Sequence, residues 1–88
     1  MVEDHTNEGE TLALGALGWV LADDARAARL LALTGLTPET LRDWVQDRDF
    51  LAAVLRFLEN HEPDLIACAA ALGVPPLRLV AARQELEA

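Results

Sequence analysis

The stretch from Phe50 to Leu58 constrains the fold of this chain more than any other segment. Its apolar side chains recur at intervals of three and four residues and surround most of a helix: Phe50, Leu51, Val54, Leu55, Phe57 and Leu58. A helix with apolar residues around most of its circumference is stable in water only when other elements cover it. The pattern therefore predicts a central helix on which the remaining elements pack.

Two similar corners flank this central stretch. Residues 35–38 (GLTP) and 73–76 (GVPP) each follow one apolar helical run and precede another. A glycine just past a helix adopts the left-handed conformation easily, and proline suits the first position of the next helix. Each corner also has the spacing of a hydrophobic staple, formed by Leu36 with Leu41 and by Val74 with Leu79. The sequence thus predicts two helix-turn-helix-like corners with rough internal symmetry.

Length and composition favour one all-α domain. The chain has 88 residues, of which 52% are hydrophobic, and it contains no tyrosine. A chain of this size buries roughly 60% of its unfolded surface, which is enough for one modest core. We expect a small orthogonal bundle of five or six short helices over residues 11–88, preceded by an acidic, mobile tail over residues 1–10.

Capping residues give the expected helix boundaries. Asp23 is a natural N-cap of the second helix, residues 47–49 cap the central helix, and Pro63 starts the fifth. Other side chains are assigned to a face by periodicity alone. In the second helix Arg26 and Arg29 are expected to face water, and Ala27, Leu30 and Leu31 to face inward. Three other helices each carry apolar residues along one face: Leu14, Leu17 and Leu21 of the first, Leu41, Trp44 and Val45 of the third, and Leu65, Ile66, Cys68, Ala69 and Leu72 of the fifth.

The first helix, expected to begin near Thr11, has apolar residues on nearly every side. A small bundle rarely covers a helix completely, so part of this helix is expected to meet solvent or another chain. The candidate partner-contact surface lies along one side of it: Leu12, Gly15, Trp19 and Ala22. A twofold homodimer that packs through the notch at Gly15 is one form of such a contact.

The charge of the chain restricts its partners and its location. Fifteen acids stand against seven arginines, for a formal net charge of −8. This balance opposes binding to nucleic acids and to anionic membranes. The apolar run over residues 12–22 is shorter than the ~20 residues of a membrane span, and its acidic flank argues against a signal peptide. The single Cys68 needs no oxidising compartment, so a cytoplasmic location is expected.

The second corner also has the pattern of a DNA-binding helix-turn-helix, with Ala69, Gly73, Val74 and Leu79 at the expected positions. The helix after this corner contains few side chains of the kind that contact DNA bases, and acidic residues lie among them. A transcriptional regulator is therefore the alternative function. It would require one basic face formed by Arg26, Arg29, Arg78 and Arg83.

Sites for catalysis or metal binding are not expected. His61-Glu62 resembles the start of a zinc-protease motif, but Leu65 occupies the position of the second histidine. The chain has no serine and no glycine-rich phosphate loop. We therefore expect no catalytic, cofactor-binding or metal-binding residue and rank an enzyme or a small-molecule binder third.

Three stretches resemble one known family: LALGALGWVLADD, LLALTGLTPETLR, and DFLAAVLRFLENHEPDL with the ALGVPP segment behind it. They are similar to the alphaproteobacterial family catalogued as domain of unknown function 3572, over roughly residues 11–86. The resemblance implies a small, helical, bacterial cytoplasmic protein and transfers no site residue. It also suggests a two-component signalling protein as a partner.

Taken together, the sequence predicts a non-catalytic protein-interaction or regulatory module. The absence of site chemistry, the acidic surface and the apolar first helix all favour this function. Its partner is expected to be another protein or a second copy of the chain.

Overall fold

The computed structural model describes residues 5–88, with side chains described from Glu8 onward. This part of the chain forms six α-helices and one 3₁₀ turn and contains no strand, which confirms the predicted all-α bundle. The elements in chain order are α1 (His5–Leu21), α2 (Asp24–Thr34), α3 (Pro38–Leu41), the 3₁₀ turn (Arg42–Trp44), α4 (Arg48–Glu59), α5 (Glu62–Leu72) and α6 (Pro76–Glu87).

The centre of the bundle is α4, as predicted. Half of its twelve residues are buried: Phe50, Leu51, Ala52, Val54, Leu55 and Leu58. Helices α1 and α6 pack against it and against each other. The helix begins where the side chain of Asp47 accepts a hydrogen bond of 2.9 Å from the backbone N–H of Phe50. Its burial holds the three longest helices of the bundle together.

Both predicted corners are present. Gly35 and Gly73 end α2 and α5 with φ angles of 76° and 75°, the left-handed conformation that glycine tolerates best. In the first corner, Thr37 and Thr40 form a reciprocal capping box at the start of α3. In the second, the axes of α5 and α6 differ by 96°.

The third predicted helix is shorter than expected. After one turn of α-helix the chain tightens into the 3₁₀ turn, and the N–H of Asp47 closes it by donating to the Trp44 carbonyl at 3.0 Å. The Asp47 cap of α4 follows within a few residues, so α3 cannot continue. Of the residues predicted to share one face of this helix, Leu41 is buried, whereas 42% of the surface of Trp44 is exposed.

The first helix begins at His5, six residues before the predicted start at Thr11. Its first turns pack on α6: Gly9 is buried, and a Cβ there would lie 3.2 Å from the Ala82 carbonyl. Glu10 forms an ion pair with Arg48 of α4 at 3.1 Å. Acidic residues assigned to the tail thus belong to the helix, while residues 1–4 of that tail lie outside the described residues.

We expect Val54→Asp to unfold the domain. Val54 is completely buried at the centre of α4, and an unpaired carboxylate there costs several kcal/mol out of a total stability of about 5 to 10 kcal/mol. Urea denaturation followed by circular dichroism measures the effect, with the exposed Gln84→Asp as the control. A wild-type unfolding midpoint in Val54→Asp would contradict the central position of α4.

Two glycines should respond to alanine in opposite directions. A Cβ at Gly18 in α1 would meet no atom within 4 Å, so Gly18→Ala should stabilise the helix by roughly 0.5 to 1 kcal/mol. Gly73→Ala should destabilise the domain by about 1 kcal/mol, because its φ of 75° strains any residue with a Cβ. Urea midpoints give both values. A destabilised Gly18→Ala would show that the outer side of α1 is not open.

Candidate functional site

The residues of the predicted partner-contact surface on α1 are mostly engaged within the chain. Leu12 and Trp19 are half-buried and pack against the core. A Cβ at Gly15 would lie 3.2 Å from Cδ2 of Leu72, so the notch at Gly15 is occupied by α5. Ala22 alone among the four is exposed. The structure therefore brings these residues against neighbouring helices rather than into one open strip.

Trp19 has a further contact within the chain. The guanidinium of Arg26 lies 3.5 Å from the centre of its ring, and Nη2 of Arg26 donates a hydrogen bond of 3.4 Å to the Trp19 carbonyl. Stacking of a cation on an indole ring is favourable, and it covers both side chains. The expectation that Arg26 faces water is therefore wrong.

The predicted apolar faces of α1 and α5 are only partly covered. In α1 only Leu17 of the predicted apolar stripe is buried, while Leu14 and Leu21 are exposed around Gly18. In α5, Leu65, Cys68 and Ala69 are buried, but Ile66 is 50% exposed. Apolar residues surround both helices, so periodicity did not identify which side the other helices cover.

The described arginines do not form a basic face. Six of the seven have acidic partners: Arg26 with Asp23, Arg29 with Asp64, Arg48 with Glu10, Arg56 with Glu87, Arg78 with Glu8 and Glu85, and Arg83 with Glu59 and Glu87. Each of the four arginines required for DNA binding is thus paired with a carboxylate. This arrangement does not support the alternative function.

The densest group of ion pairs joins the ends of α4 and α6. Arg83 donates hydrogen bonds to Glu59 and Glu87, and Arg56 donates to Glu87. The hydrogen bond from Arg83 to Glu59 is the main cause that raises the pKa of Arg83. Desolvation alone would raise the pKa of Glu87, but the hydrogen bonds and charges of Arg56 and Arg83 outweigh it and lower that pKa.

An unfilled apolar groove lies between the end of α2, the 3₁₀ turn and the start of α4. Its volume is about 440 Å³, and we call it the Trp44 groove. It is lined by Leu33, Thr34, Leu36, Trp44, Asp47, Asp49, Phe50 and Ala53. Leu33 is 67% exposed and Trp44 is 42% exposed. The groove therefore presents large apolar side chains to solvent.

The polar groups of the Trp44 groove are few. The Thr34 hydroxyl donates to the Leu30 carbonyl at 3.0 Å, so it already has a partner. One oxygen of Asp47 accepts the capping hydrogen bond of α4. The carboxylate of Asp49 has no ion-pair partner in the described chain, and no arginine lines the groove. The groove is thus an apolar surface with a negative edge.

Helical periodicity alone does not predict this groove. Its residues come from α2, the first corner, the 3₁₀ turn and α4, which only the folded chain brings together. One sequence signal was available: Trp44 lies between the acids Asp43 and Asp47, where a core residue is seldom found.

The other reactive side chains form no site. Burial raises the pKa of the Cys68 thiol to about 11, against the charge of nearby Arg26, which lowers it. The thiol is therefore protonated and unreactive at neutral pH. Within residues that the structure describes, no three His, Cys, Asp or Glu side chains are placed to hold a metal ion.

The fold and the groove define a small all-α domain of two helical corners packed on a central helix. Its chain belongs to the family described as Protein of unknown function (DUF3572), whose model matches residues 6–88. The family resemblance of the sequence is thereby confirmed. No curated protein and no solved structure shows significant similarity to the chain. Among the described helices, none is by itself long and apolar enough to cross a membrane.

We expect Glu87→Gln to reduce the loss of stability in acid. Because the pKa of Glu87 is lower in the folded state, its contribution is fully present above the ordinary value of 4.5 and disappears as pH falls through the lower folded value. Urea midpoints at neutral pH and at about pH 3 measure this loss. The control is Glu62→Gln, which removes an acid without an ion pair. If Glu87→Gln and Glu62→Gln lose the same amount of stability in acid, the stabilising role of the Glu87 ion pairs is contradicted.

Proposed function

We propose that this protein is a non-catalytic protein-interaction module that binds another protein in the Trp44 groove. The observation that carries the proposal is the exposure of Leu33 and Trp44 in one unfilled apolar groove. Apolar side chains gathered in a concave surface favour a contact, whereas single exposed leucines are normal on any protein.

The composition of the groove favours a protein partner over a small molecule or a substrate. Small-molecule sites enclose most of their ligand and direct several polar groups at it. In the Trp44 groove the Thr34 hydroxyl and one Asp47 oxygen are engaged within the chain, and Leu33 stands open to solvent. No pair of acid and base converges there, so the groove offers no means of catalysis.

Trp44 has the properties of a binding hot spot. Tryptophan is enriched at hot spots because its large ring buries much apolar surface while its N–H remains available as a donor. The indole N–H of Trp44 makes no hydrogen bond within the described chain. A partner that fills the groove would therefore cover the ring and also gain a hydrogen-bond donor.

We expect Leu33→Asp to weaken binding of the partner strongly without unfolding the domain. Leu33 is mostly exposed, so the change costs little stability, but it places a charge where the partner's apolar surface would lie. The loss of one hot-spot contact is about 2 kcal/mol, or roughly 30-fold in affinity. The matched control is Leu77→Asp, because Leu77 is 77% exposed on α6 and does not line the groove.

Quantitative affinity purification from the native host compares wild type with both variants. A protein that wild type and Leu77→Asp retain, and that Leu33→Asp loses, is then purified and titrated by calorimetry. Direct binding with the same dependence on Leu33 supports the proposal. If no captured protein depends on Leu33, or if the purified protein does not bind, the proposal is wrong.

A further inference from the structure

We propose that the occupant of the Trp44 groove is a basic segment of the partner, with an apolar anchor flanked by arginine or lysine. This inference rests on the proposed function and adds the chemistry of the partner. Two observations lead to it: the groove has an apolar wall without a covering element, and the charge along its edge is uncompensated.

The charge argument begins with the acids that line the groove. Asp47 and Asp49 contribute carboxylates, and no arginine is among the lining residues. Arg48 lies between them in sequence, but its side chain contacts Glu10 of α1 at 3.1 Å and the Glu85 carbonyl of α6 at 2.9 Å. Arg48 is therefore engaged by α1 and α6 and does not line the groove, although it borders an adjoining hollow that Asp47 and Asp49 also line.

The acids near the groove differ from most other acids of the described chain because they have no arginine partner. Six acids of the described chain have no ion-pair partner: Asp24, Glu39, Asp43, Asp47, Asp49 and Glu62. Four of them belong to the short segment from Glu39 to Asp49, which carries Trp44 and the cap of α4. The same segment holds Arg42, the one described arginine without an acidic partner. Seven of the nine described acids outside this segment are paired with arginine, so the unpaired acids are densest in the segment that borders the groove.

The two parts of the groove would have different roles in binding. Exposed charges mainly speed association and select the partner, whereas covered apolar surface supplies most of the affinity. A basic segment with Leu, Phe or Met as its anchor would satisfy both parts. The anchor would contact Leu33 and Trp44, and its flanking cations would face Asp49. An amphipathic helix that lays one apolar face in a groove is a recurrent form of such a ligand.

The test begins with selection from a library of displayed random peptides on the immobilised wild-type protein. The expected consensus is an apolar anchor with arginine or lysine on both flanks. The enriched peptide is then synthesised in two forms, with the anchor intact and with the anchor replaced by alanine. Fluorescence anisotropy compares the two, because a chain of net charge −8 attracts any cationic peptide weakly. Tight binding must require the anchor.

Three variants separate the apolar contribution from the charge contribution. Asp49→Asn should weaken binding several-fold at low salt, and the difference should disappear at about 0.5 M salt, where exposed charges are screened. Glu62→Gln removes an unpaired acid outside the groove and should leave the affinity unchanged. Leu33→Asp should weaken binding roughly 30-fold even though it adds negative charge, because the anchor loses its apolar contact. Circular dichroism establishes that each variant is folded.

The outcomes distinguish this inference from the function on which it rests. Enriched peptides that are neutral or acidic, yet need Leu33, would overturn the basic occupant and leave the groove as a binding site. Self-association of the wild type in light scattering that Leu33→Asp removes would replace the basic segment by a second copy of the chain. If no enriched peptide depends on Leu33, the proposed function itself is wrong.

Discussion

The burial of α4 is the constraint on which the rest of the structure depends. Its apolar side chains cover most of its circumference, so α1 and α6 must both pack against it. The two corners turn the chain so that these helices can meet at the centre. The remaining elements are too short to cover all of α4. At the start of α4, α2 and the 3₁₀ turn leave Ala53 partly uncovered, and the Trp44 groove opens there.

The pairing of charges links the packing of the helices to the character of the groove. Arginines join α1 to α4 and α6, α2 to α5, and α4 to α6. Exposed pairs of this kind contribute little to stability one by one. Their main effect is to determine which acids are left without a partner. Six of the seven arginines are paired with acids, and four of the six described acids without an ion-pair partner lie in the segment from Glu39 to Asp49.

The family match covers α1 to α6 and therefore includes the whole bundle and the groove. The groove supports an interaction module because its features are those of a contact surface, with exposed apolar walls, a tryptophan and a one-sided charge. The same features do not support catalysis, which needs converging groups with opposed roles. They also do not support DNA binding, because the arginines that would contact phosphates are paired with carboxylates.

The sequence by itself determined the features that depend on near neighbours along the chain. The caps at Asp23, Thr37 and Asp47 are hydrogen bonds across three residues, and the left-handed glycines end helices locally. The central position of α4 was also predictable, because its apolar pattern leaves few other arrangements.

Only the tertiary structure decided which apolar residues are covered, because the atoms that cover them come from distant parts of the chain. Leu72 of α5 fills the notch at Gly15, so a part of the same chain lies there rather than a second protein. Leu33 and Trp44 belong to different elements and line one groove only because the first corner folds them together over α4. Helical periodicity shows that a face is apolar; the packing of other helices determines whether that face is buried.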